Sequence, residues 1–207
     1  MDFEHFLDLT HEVNPTTRPY PGDPVVEMTS AADFASDDCR VTCISLGTHA
    51  GTHADAPAHV LDDGRPLAAY ALSEFVGAAC VADVRGRMKI DAGALEGIEP
   101  TDWLLLCTGQ CRRWSSEEYF SDGPVFTRDF VVCAAQLARK GIGMDCAGLD
   151  RVGVALHRLW FAHSTALMVE NLTGLETLIG KPELRFAAFP LKVSALDGAP
   201  VRAAAWW

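Results

Sequence analysis

Short apolar runs separated by turn residues recur along most of this 207-residue chain. Runs of this length with turn residues on either side are typical of strands in a buried sheet. We therefore predict strands at residues 6–9, 41–46, 78–84, 103–107, 141–144, 167–169 and 185–193.

Apolar residues recur at helical spacing most clearly over residues 129–140. This segment begins with an acidic residue, ends with basic residues and is followed by Gly141, as is typical of a helix. Two further helices are predicted at residues 150–162 and 172–179, and the proline-rich stretch 15–24 is predicted to be an ordered loop. Strands and helices do not alternate strictly, and neither glycine-rich phosphate-binding motif occurs. The pattern predicts a single α/β domain over residues 1–207, of mixed α+β layers, rather than a doubly wound nucleotide fold.

The charge balance argues against nucleic acid and membrane partners. The chain has 17 Lys and Arg against 28 Asp and Glu, a formal net charge of -11, which would repel phosphate backbones and anionic lipids. No stretch approaches the roughly 18 apolar residues that a membrane span requires, and the first residues do not resemble a signal peptide. We expect a cytoplasmic protein.

The densest group of potential metal ligands lies in residues 49–59, which contain three of the seven histidines. His49, His53 and Asp55 offer two imidazoles and a carboxylate, a suitable set for Zn²⁺ or Mn²⁺, and the carboxylate can bridge a second ion. Gly51 and Pro57 favour an irregular loop over a helix. The spacing leaves His59 without a place in this ligand set.

Further ligands must come from elsewhere, and the candidates are His157 and Glu170. Glu170 ends an apolar run, where an unpaired buried charge would be costly and a metal ion would neutralise it. A helix-capping role for Glu170 and a helix-face position for His157 are the alternatives, and His163 competes with His157 as a ligand.

Cysteines offer a second, less favoured metal site. Cys39 and Cys43, like Cys107 and Cys111, are spaced four residues apart and together have the composition of a four-thiolate zinc site. We expect most of the seven cysteines to be buried thiols instead. His5 and His11 stand apart from the ligand cluster and are expected to be surface or packing residues.

The segment from His49 to His59 reads H-x-G-T-H-x-D-x-P-x-H, and in this it resembles the cyclase family, which includes kynurenine formamidases and isatin hydrolases. The resemblance continues in order through nearly the whole chain, at residues 8–11, 20–24, 108–109, 143–145, 157–158, 170–172 and 198–202. It implies a swivelling β/β/α domain and a homodimer or homotetramer. It also implies metal ligation by His49, His53, Asp55, His157 and Glu170, with one or two Zn²⁺ or Mn²⁺ ions, and proton transfer by His59.

The activity that this resemblance implies is hydrolysis of N-formyl-L-kynurenine to L-kynurenine and formate, an arylformamidase step of tryptophan degradation. Metal-bound hydroxide would attack the formyl carbonyl, and His59 would protonate the departing nitrogen. Tyr20 is expected to stack on the aromatic amide substrate, and the pocket wall is expected to contain Tyr20, Phe34 and Gln110.

Two other functions remain open. An isatin hydrolase-like enzyme acting on a cyclic amide would use the same metal loop. A non-catalytic metal-binding protein would need a site closed by four protein ligands, and the spare histidine, His59, argues against it. The terminal Trp206 and Trp207 fit either a subunit interface or a local apolar patch.

Overall fold

In the computed structural model, which describes residues 5–207, the described chain forms twelve β-strands and three α-helices joined by turns and short 3₁₀ segments. In chain order they are β1 (Phe6–Asp8), β2 (Glu27–Ala32), α1 (Phe34–Asp37), β3 (Val41–Ser45), β4 (His53–Asp55), β5 (Val76–Asp83), β6 (Lys89–Ile90), β7 (Thr101–Cys107), β8 (Val125–Phe126), α2 (Arg128–Leu137), β9 (Ala138–Met144), α3 (Ala155–His163), β10 (Leu167–Glu170), β11 (Arg185–Pro190) and β12 (Gly198–Trp206).

Eight strands form one mixed sheet in the order β1-β12-β11-β5-β7-β9-β10-β4. The sheet curls back on itself because β12 also pairs with β4, through Gly198 opposite Asp55 and Pro200 opposite His53. The remainder of β12 pairs with β11 and β1. The result is a barrel-like sheet, and its closing seam runs along β4.

Two apolar cores lie on opposite faces of this sheet, and β7 contributes to both. Trp103 and Leu105 point into one core, and Leu104 and Leu106 point into the other. This alternation follows from the two-residue period of a strand. Helices α2 and α3 cover the second core through the buried aromatic residues Phe130, Trp160 and Phe161. All seven predicted strand segments overlap strands of the structure.

The predicted helices differ more from the structure. Helix α2 ends at Leu137 rather than at residue 140, because Ala138 is already extended and begins β9. Helix α3 begins at Ala155 rather than at residue 150, after Gly153 has turned the backbone through a positive φ of 75°. The predicted helix at residues 172–179 is wrong, because only the 3₁₀ segment Leu175–Leu178 forms, preceded by Gly174 at φ 73°.

Strands β2 and β3 form a separate antiparallel hairpin. None of the residues in either strand is buried, although Val26 at its base is. The strand prediction lacks β2, β4, β6 and β8 and the long C-terminal β12. Among residues 5–207 there is no helix long and apolar enough to cross a membrane.

Candidate metal centre and active site

Strands β4 and β10 bring the first set of candidate ligands together. They pair antiparallel, with Glu170 opposite His53 and Met168 opposite Asp55. Because alternate residues of a strand share a face, the His53 and Asp55 side chains lie on the same side of β4. His53 Nε2 lies 3.3 Å from Asp55 Oδ1 and 3.4 Å from Glu170 Oε2. The residues predicted to lie in an irregular loop are therefore partly a strand at the seam of the sheet.

His49 reaches this group from the turn before β4. Its Nδ1 lies 2.8 Å from Asp55 Oδ1, and its Nε2 lies 2.8 Å from Asp197 Oδ2. The backbone of Gly198 makes room for the ring, because a Cβ atom there would lie 2.8 Å from His49 Cε1. The pairing of β12 with β4 thus positions His49 as well as the strand.

Helix α3 supplies His157, which faces the buried carboxylate of Glu170. His157 Nε2 lies 2.9 Å from Glu170 Oε1, and its Nδ1 lies 2.7 Å from Asp150 Oδ2. His163, the competing candidate, is exposed at the C-terminal end of α3. The structure therefore places His157 in the cluster and leaves His163 outside it.

The carboxylates dominate the electrostatics of the cluster. Burial by itself would lower the pKa of His49, but Asp55 and Asp197 raise that pKa to about 10. Burial acts the same way on His157, and Asp150 and Glu170 raise its pKa to about 10. Burial would raise the pKa of Glu170, yet His157 and His53 hold it well below its usual range. Cationic imidazoles therefore neutralise buried carboxylates that would otherwise be costly.

The donor set fits a divalent metal ion. Two groups, His49–His53–Asp55 and Asp55–His157–Glu170, have ligand atoms within 4.8 Å of one another and share Asp55. Nδ1 of His53 lies 2.9 Å from the carbonyl oxygen of Gly51, which accepts its proton and leaves Nε2 free to bind a metal ion. Imidazole and carboxylate donors suit Zn²⁺ and Mn²⁺ alike.

Close packing by Gly148 and the hydrogen bonds of the next residue, Asn171, hold Glu170 in place. Gly148 packs against it so closely that a Cβ atom there would lie 2.3 Å from Glu170 Oε1. The next residue, Asn171, adopts a positive φ of 57°, which is uncommon outside glycine. Its side-chain amide donates to the Gly51 carbonyl, and its Oδ1 accepts from the hydroxyl of Tyr119. The first bond ties the end of β10 to the turn between His49 and His53, and the second ties it to Tyr119.

His59 lies beside the cluster rather than within the two shared groups. It sits in the 3₁₀ segment Pro57–His59, and its ring centroid is 4.1 Å from that of His49. Its Nδ1 lies 3.4 Å from Asp197 Oδ2, and its Nε2 has no hydrogen-bond partner within residues 5–207. A third group of possible metal-binding atoms, His49–His59–Asp197, includes it.

A cavity of about 480 Å³ opens over these residues. Tyr20 lines it together with Phe120, and the two rings meet edge to face with centroids 5.6 Å apart. Asp23, Val154 and Asn171 also contribute to the lining. Among the described residues that line the cavity there is no lysine or arginine.

Two of the three residues expected in the pocket wall lie elsewhere. Phe34 is 60% exposed at the end of the β2–β3 hairpin, so its assignment to the wall is wrong. Gln110 is buried, and its side-chain amide donates to the carbonyls of Tyr119 and Asp122. It therefore holds the loop that carries Phe120 instead of lining the cavity itself.

The sequence reasoning also missed Asp150, Asp197 and Phe120. Asp150 and Asp197 contact histidines through their carboxylates, and Phe120 forms part of the pocket wall. An acidic residue seven positions before His157 was the one local signal for Asp150. Asp197 lies far in sequence from His49, and Phe120 lies far in sequence from Tyr20, so no local pattern marks either residue.

The cysteines do not form the alternative zinc site. Cys39 and Cys43 are exposed on the hairpin, whereas Cys107 and Cys111 are buried elsewhere. Within the described part of the chain, no group of possible metal ligands includes a cysteine. The expectation that most cysteines are buried is also wrong, since only Cys107, Cys111 and Cys146 are.

The isolated histidines are packing residues in the structure, as expected. His11 stacks on Trp114 with 4.4 Å between ring centroids, and burial lowers its pKa to about 4. His5 stacks on Trp207, and the ammonium of Lys181 makes a cation–π contact with the same ring. The terminal tryptophans thus meet local partners.

Comparison with known protein families shows to which family this chain belongs. The profile of the family described as "Putative cyclase" matches residues 7–151, which is more than half of the chain. The chain belongs to the cyclase family. The family prediction is therefore confirmed.

Its relatives include kynurenine formamidases. That of Bacillus mycoides (strain KBAB4) is 30% identical over 98% of each chain. That of Salinibacter ruber (strain DSM 13855 / M31) is 30% identical over 95% of each chain.

Solved structures share the fold. An isatin hydrolase bound to the product analogue thioisatinate superposes with a TM-score of 0.82 at 22% identity, covering 98% of this chain and 92% of its own. Isatin hydrolase A from Ralstonia solanacearum gives a TM-score of 0.81 at 22% identity, covering 98% and 91%. The predicted fold class, mixed α/β layers of the cyclase type, is confirmed.

Proposed function

We propose that this protein is a metal-dependent amide hydrolase of the arylformamidase type, which converts N-formyl-L-kynurenine to L-kynurenine and formate. The observation that carries the proposal is that five candidate metal ligands line the same pocket as two aromatic rings. The kynurenine formamidases among its full-length relatives support the same reaction.

His49, His53 and Asp55 would hold one divalent ion, and Asp55, His157 and Glu170 would hold a second. Zn²⁺ and Mn²⁺ are the ions proposed, because imidazole and carboxylate donors suit both. A metal ion in this site would supply Lewis-acid chemistry, which activates water at neutral pH and polarises a carbonyl oxygen. Metal analysis of the purified protein would count the ions per subunit.

Water adds through its oxygen to the formyl carbon, and the bond between that carbon and the aryl nitrogen breaks. The departing amine needs a proton, and we assign its supply to His59. Asp197 accepts a hydrogen bond from Nδ1 of His59, which orients the ring and leaves Nε2 for proton transfer. The proton that the attacking water loses returns to His59 at the end of the cycle.

Tyr20 and Phe120 would contact the aromatic ring of the substrate from one wall of the pocket. Edge-to-face and stacked aromatic contacts contribute about 0.5–1.5 kcal/mol beyond simple burial. Asp23 adds a carboxylate to the lining, which suits the α-ammonium group of N-formyl-L-kynurenine. Isatin has no such group.

Hydrolysis of N-formyl-L-kynurenine by purified protein tests this proposal, with isatin as a parallel substrate. Each substrate is assayed after chelation and again after addition of Zn²⁺ or Mn²⁺. Chelator-sensitive release of kynurenine, restored by metal, is the expected result. Turnover of isatin alone would replace the arylformamidase assignment by a cyclic-amide hydrolase, and turnover of neither by metal-loaded protein would reject both substrates.

Three broader expectations accompany this function. The enzyme is proposed to be cytoplasmic, to assemble as a homodimer or homotetramer, and to consist of one hydrolase domain over residues 1–207. The negative charge of the chain supports a small-molecule substrate rather than nucleic acid or a membrane surface.

A further inference from the structure

Three hydrogen bonds in series connect Tyr119 to the candidate metal ligand His53. The hydroxyl of Tyr119 donates to Oδ1 of Asn171 at 2.8 Å, and Nδ2 of Asn171 donates to the carbonyl oxygen of Gly51 at 2.9 Å. The same carbonyl oxygen lies 2.9 Å from Nδ1 of His53. Tyr119 is thus linked to the candidate metal ligand through two intervening residues.

This series of bonds is shielded from water. Tyr119 is 1% exposed, and Asn171 and His53 are each 3% exposed. A polar atom that loses its partner at such a position pays the cost of its desolvation, because water is not at hand to replace the bond. Burial also raises the pKa of Tyr119 well above its usual value, so the phenol keeps its proton and remains a hydrogen-bond donor.

The Tyr119 hydroxyl selects the orientation of the Asn171 amide. That amide presents an acceptor oxygen on one side and a donor nitrogen on the other. With Oδ1 toward Tyr119, Nδ2 points at the Gly51 carbonyl. If the amide turned over, two oxygen acceptors would face each other without a proton between them. The hydroxyl favours the first orientation because its own proton needs an acceptor.

The Gly51 carbonyl in turn determines which nitrogen of His53 carries the proton. A carbonyl oxygen has two lone pairs, so it can accept from Asn171 and from His53 together. Gly51 has no side chain to restrain its peptide and adopts a positive φ of 68°, so the bond from Asn171 helps to orient its carbonyl. A proton held on Nδ1 of His53 leaves Nε2 for a metal ion.

We propose that Tyr119 is a positioning residue for the metal site: acting through Asn171, it holds the Gly51 carbonyl against Nδ1 of His53 and keeps Nε2 available for the ion. The inference rests on the metal site of the proposed function. Tyr119 also packs edge to face on Phe120, with ring centroids 5.0 Å apart. The pocket wall and the metal ligand therefore share one buried anchor.

Tyr119→Phe tests the inference, because it removes the hydroxyl oxygen and keeps the ring. Competition with a chromogenic chelator measures the Zn²⁺ dissociation constant, which should rise roughly 3–10-fold for the loss of one hydrogen bond that acts indirectly. Tyr70→Phe is the matched control, since Tyr70 is also buried, donates to the Thr165 carbonyl at 2.7 Å and lines a different cavity. The control should bind Zn²⁺ like the parent protein. Equal affinities for Tyr119→Phe and the parent would overturn the inference.

A double-mutant cycle shows whether Tyr119 acts through Asn171. Asn171→Gly removes the amide and suits the positive φ of 57° at that position. We expect Asn171→Gly to weaken Zn²⁺ binding roughly tenfold or more, and Tyr119→Phe to have little further effect in that background. An undiminished effect of Tyr119→Phe in the Asn171→Gly background would overturn the inference, because the hydroxyl would then act by another route.

Heteronuclear NMR of the Zn²⁺-loaded protein follows His53 directly. Its Nδ1 proton should exchange slowly with water in the parent and in Tyr70→Phe, and faster in Tyr119→Phe. An unchanged exchange rate in Tyr119→Phe would contradict the inference. If circular dichroism shows that this variant does not fold, the parent still decides, since its Tyr119 hydroxyl proton should itself exchange slowly and rapid exchange would overturn the inference.

These measurements use no substrate, so they do not depend on which amide the protein hydrolyses. A parent protein that binds Zn²⁺ but hydrolyses neither N-formyl-L-kynurenine nor isatin would reject the proposed reaction and leave this test intact. An active parent with a Tyr119→Phe variant of equal affinity would reject the inference alone. A parent that binds no Zn²⁺ would overturn the inference together with the metal site.

Discussion

The imidazole of His157 is held by the carboxylate of Asp150, with 2.7 Å between Nδ1 and Oδ2. The same carboxylate accepts hydrogen bonds from the backbone amides of Leu156 and His157, so it both caps helix α3 and orients the imidazole of His157. Nε2 of His157 is thereby directed toward Glu170. Carboxylates placed behind a metal-binding histidine fix its tautomer and raise its basicity.

Replacing Asp150 with Asn should lower metal affinity by roughly 10–100-fold, because the amide keeps a capping oxygen but loses the charge that orients His157. Competition with a chromogenic chelator measures the affinity. Asp129→Asn is the matched control, since Asp129 lies in the first turn of α2, accepts from the Ala92 amide and is remote from the cluster. Equal affinity for the Asp150 variant and the parent would remove Asp150 from the metal site.

Replacing His59 with Ala should leave metal content nearly unchanged and lower kcat by about two orders of magnitude or more, because the leaving nitrogen loses its proton donor. Metal analysis and turnover are measured on the same preparation. His163→Ala, at an exposed histidine of α3, should retain full activity. Loss of metal together with activity in the His59 variant would instead make His59 a ligand.

Replacing Gly148 with Ala should weaken metal binding, because the new Cβ would lie 2.3 Å from Glu170 Oε1 and 3.1 Å from His157 Cε1. Both groups would have to move. Gly153→Ala is the matched control, since Gly153 also has a positive φ but has no atom within 4 Å of the added Cβ. Both variants place a Cβ at a positive φ, 110° at Gly148 and 75° at Gly153, so each carries backbone strain. A loss of metal affinity well beyond that of Gly153→Ala reports the contact with the ligands. Equal affinities would contradict the prediction.

The metal-free protein should lose stability as the pH rises from about 7 to 10. His49 and His157 have pKa values raised to about 10 in the folded chain, against about 6.5 for an unfolded histidine. A raised pKa contributes stability that is complete below about pH 6.5 and is lost as the pH rises through the folded value.

The melting temperature of chelated and metal-loaded protein, measured across this pH range, tests the effect. Bound metal replaces the imidazole protons as the partner of the buried carboxylates, so the loaded protein should show a smaller decline. Parallel curves for the two forms would contradict the role of the protonated imidazoles.

The group of candidate metal ligands in residues 49–59 was predictable because its information is local. His49, His53, Asp55 and His59 lie within eleven residues, and their chemistry follows from residue type and spacing alone. The strands were predictable for a similar reason, since an apolar run between turn residues is a property of consecutive positions. The sequence by itself therefore determined the class of site and most of the sheet.

Only the tertiary structure decided which distant residues complete the site. Asp197 is 148 positions from His49, and the two meet because β12 closes the sheet against β4. The choice of His157 over His163 depends on which side of α3 faces β10, and no local pattern fixes that. Exposure of the β2–β3 hairpin is likewise a property of the packed chain, because it depends on which apolar surfaces find a partner within the same subunit.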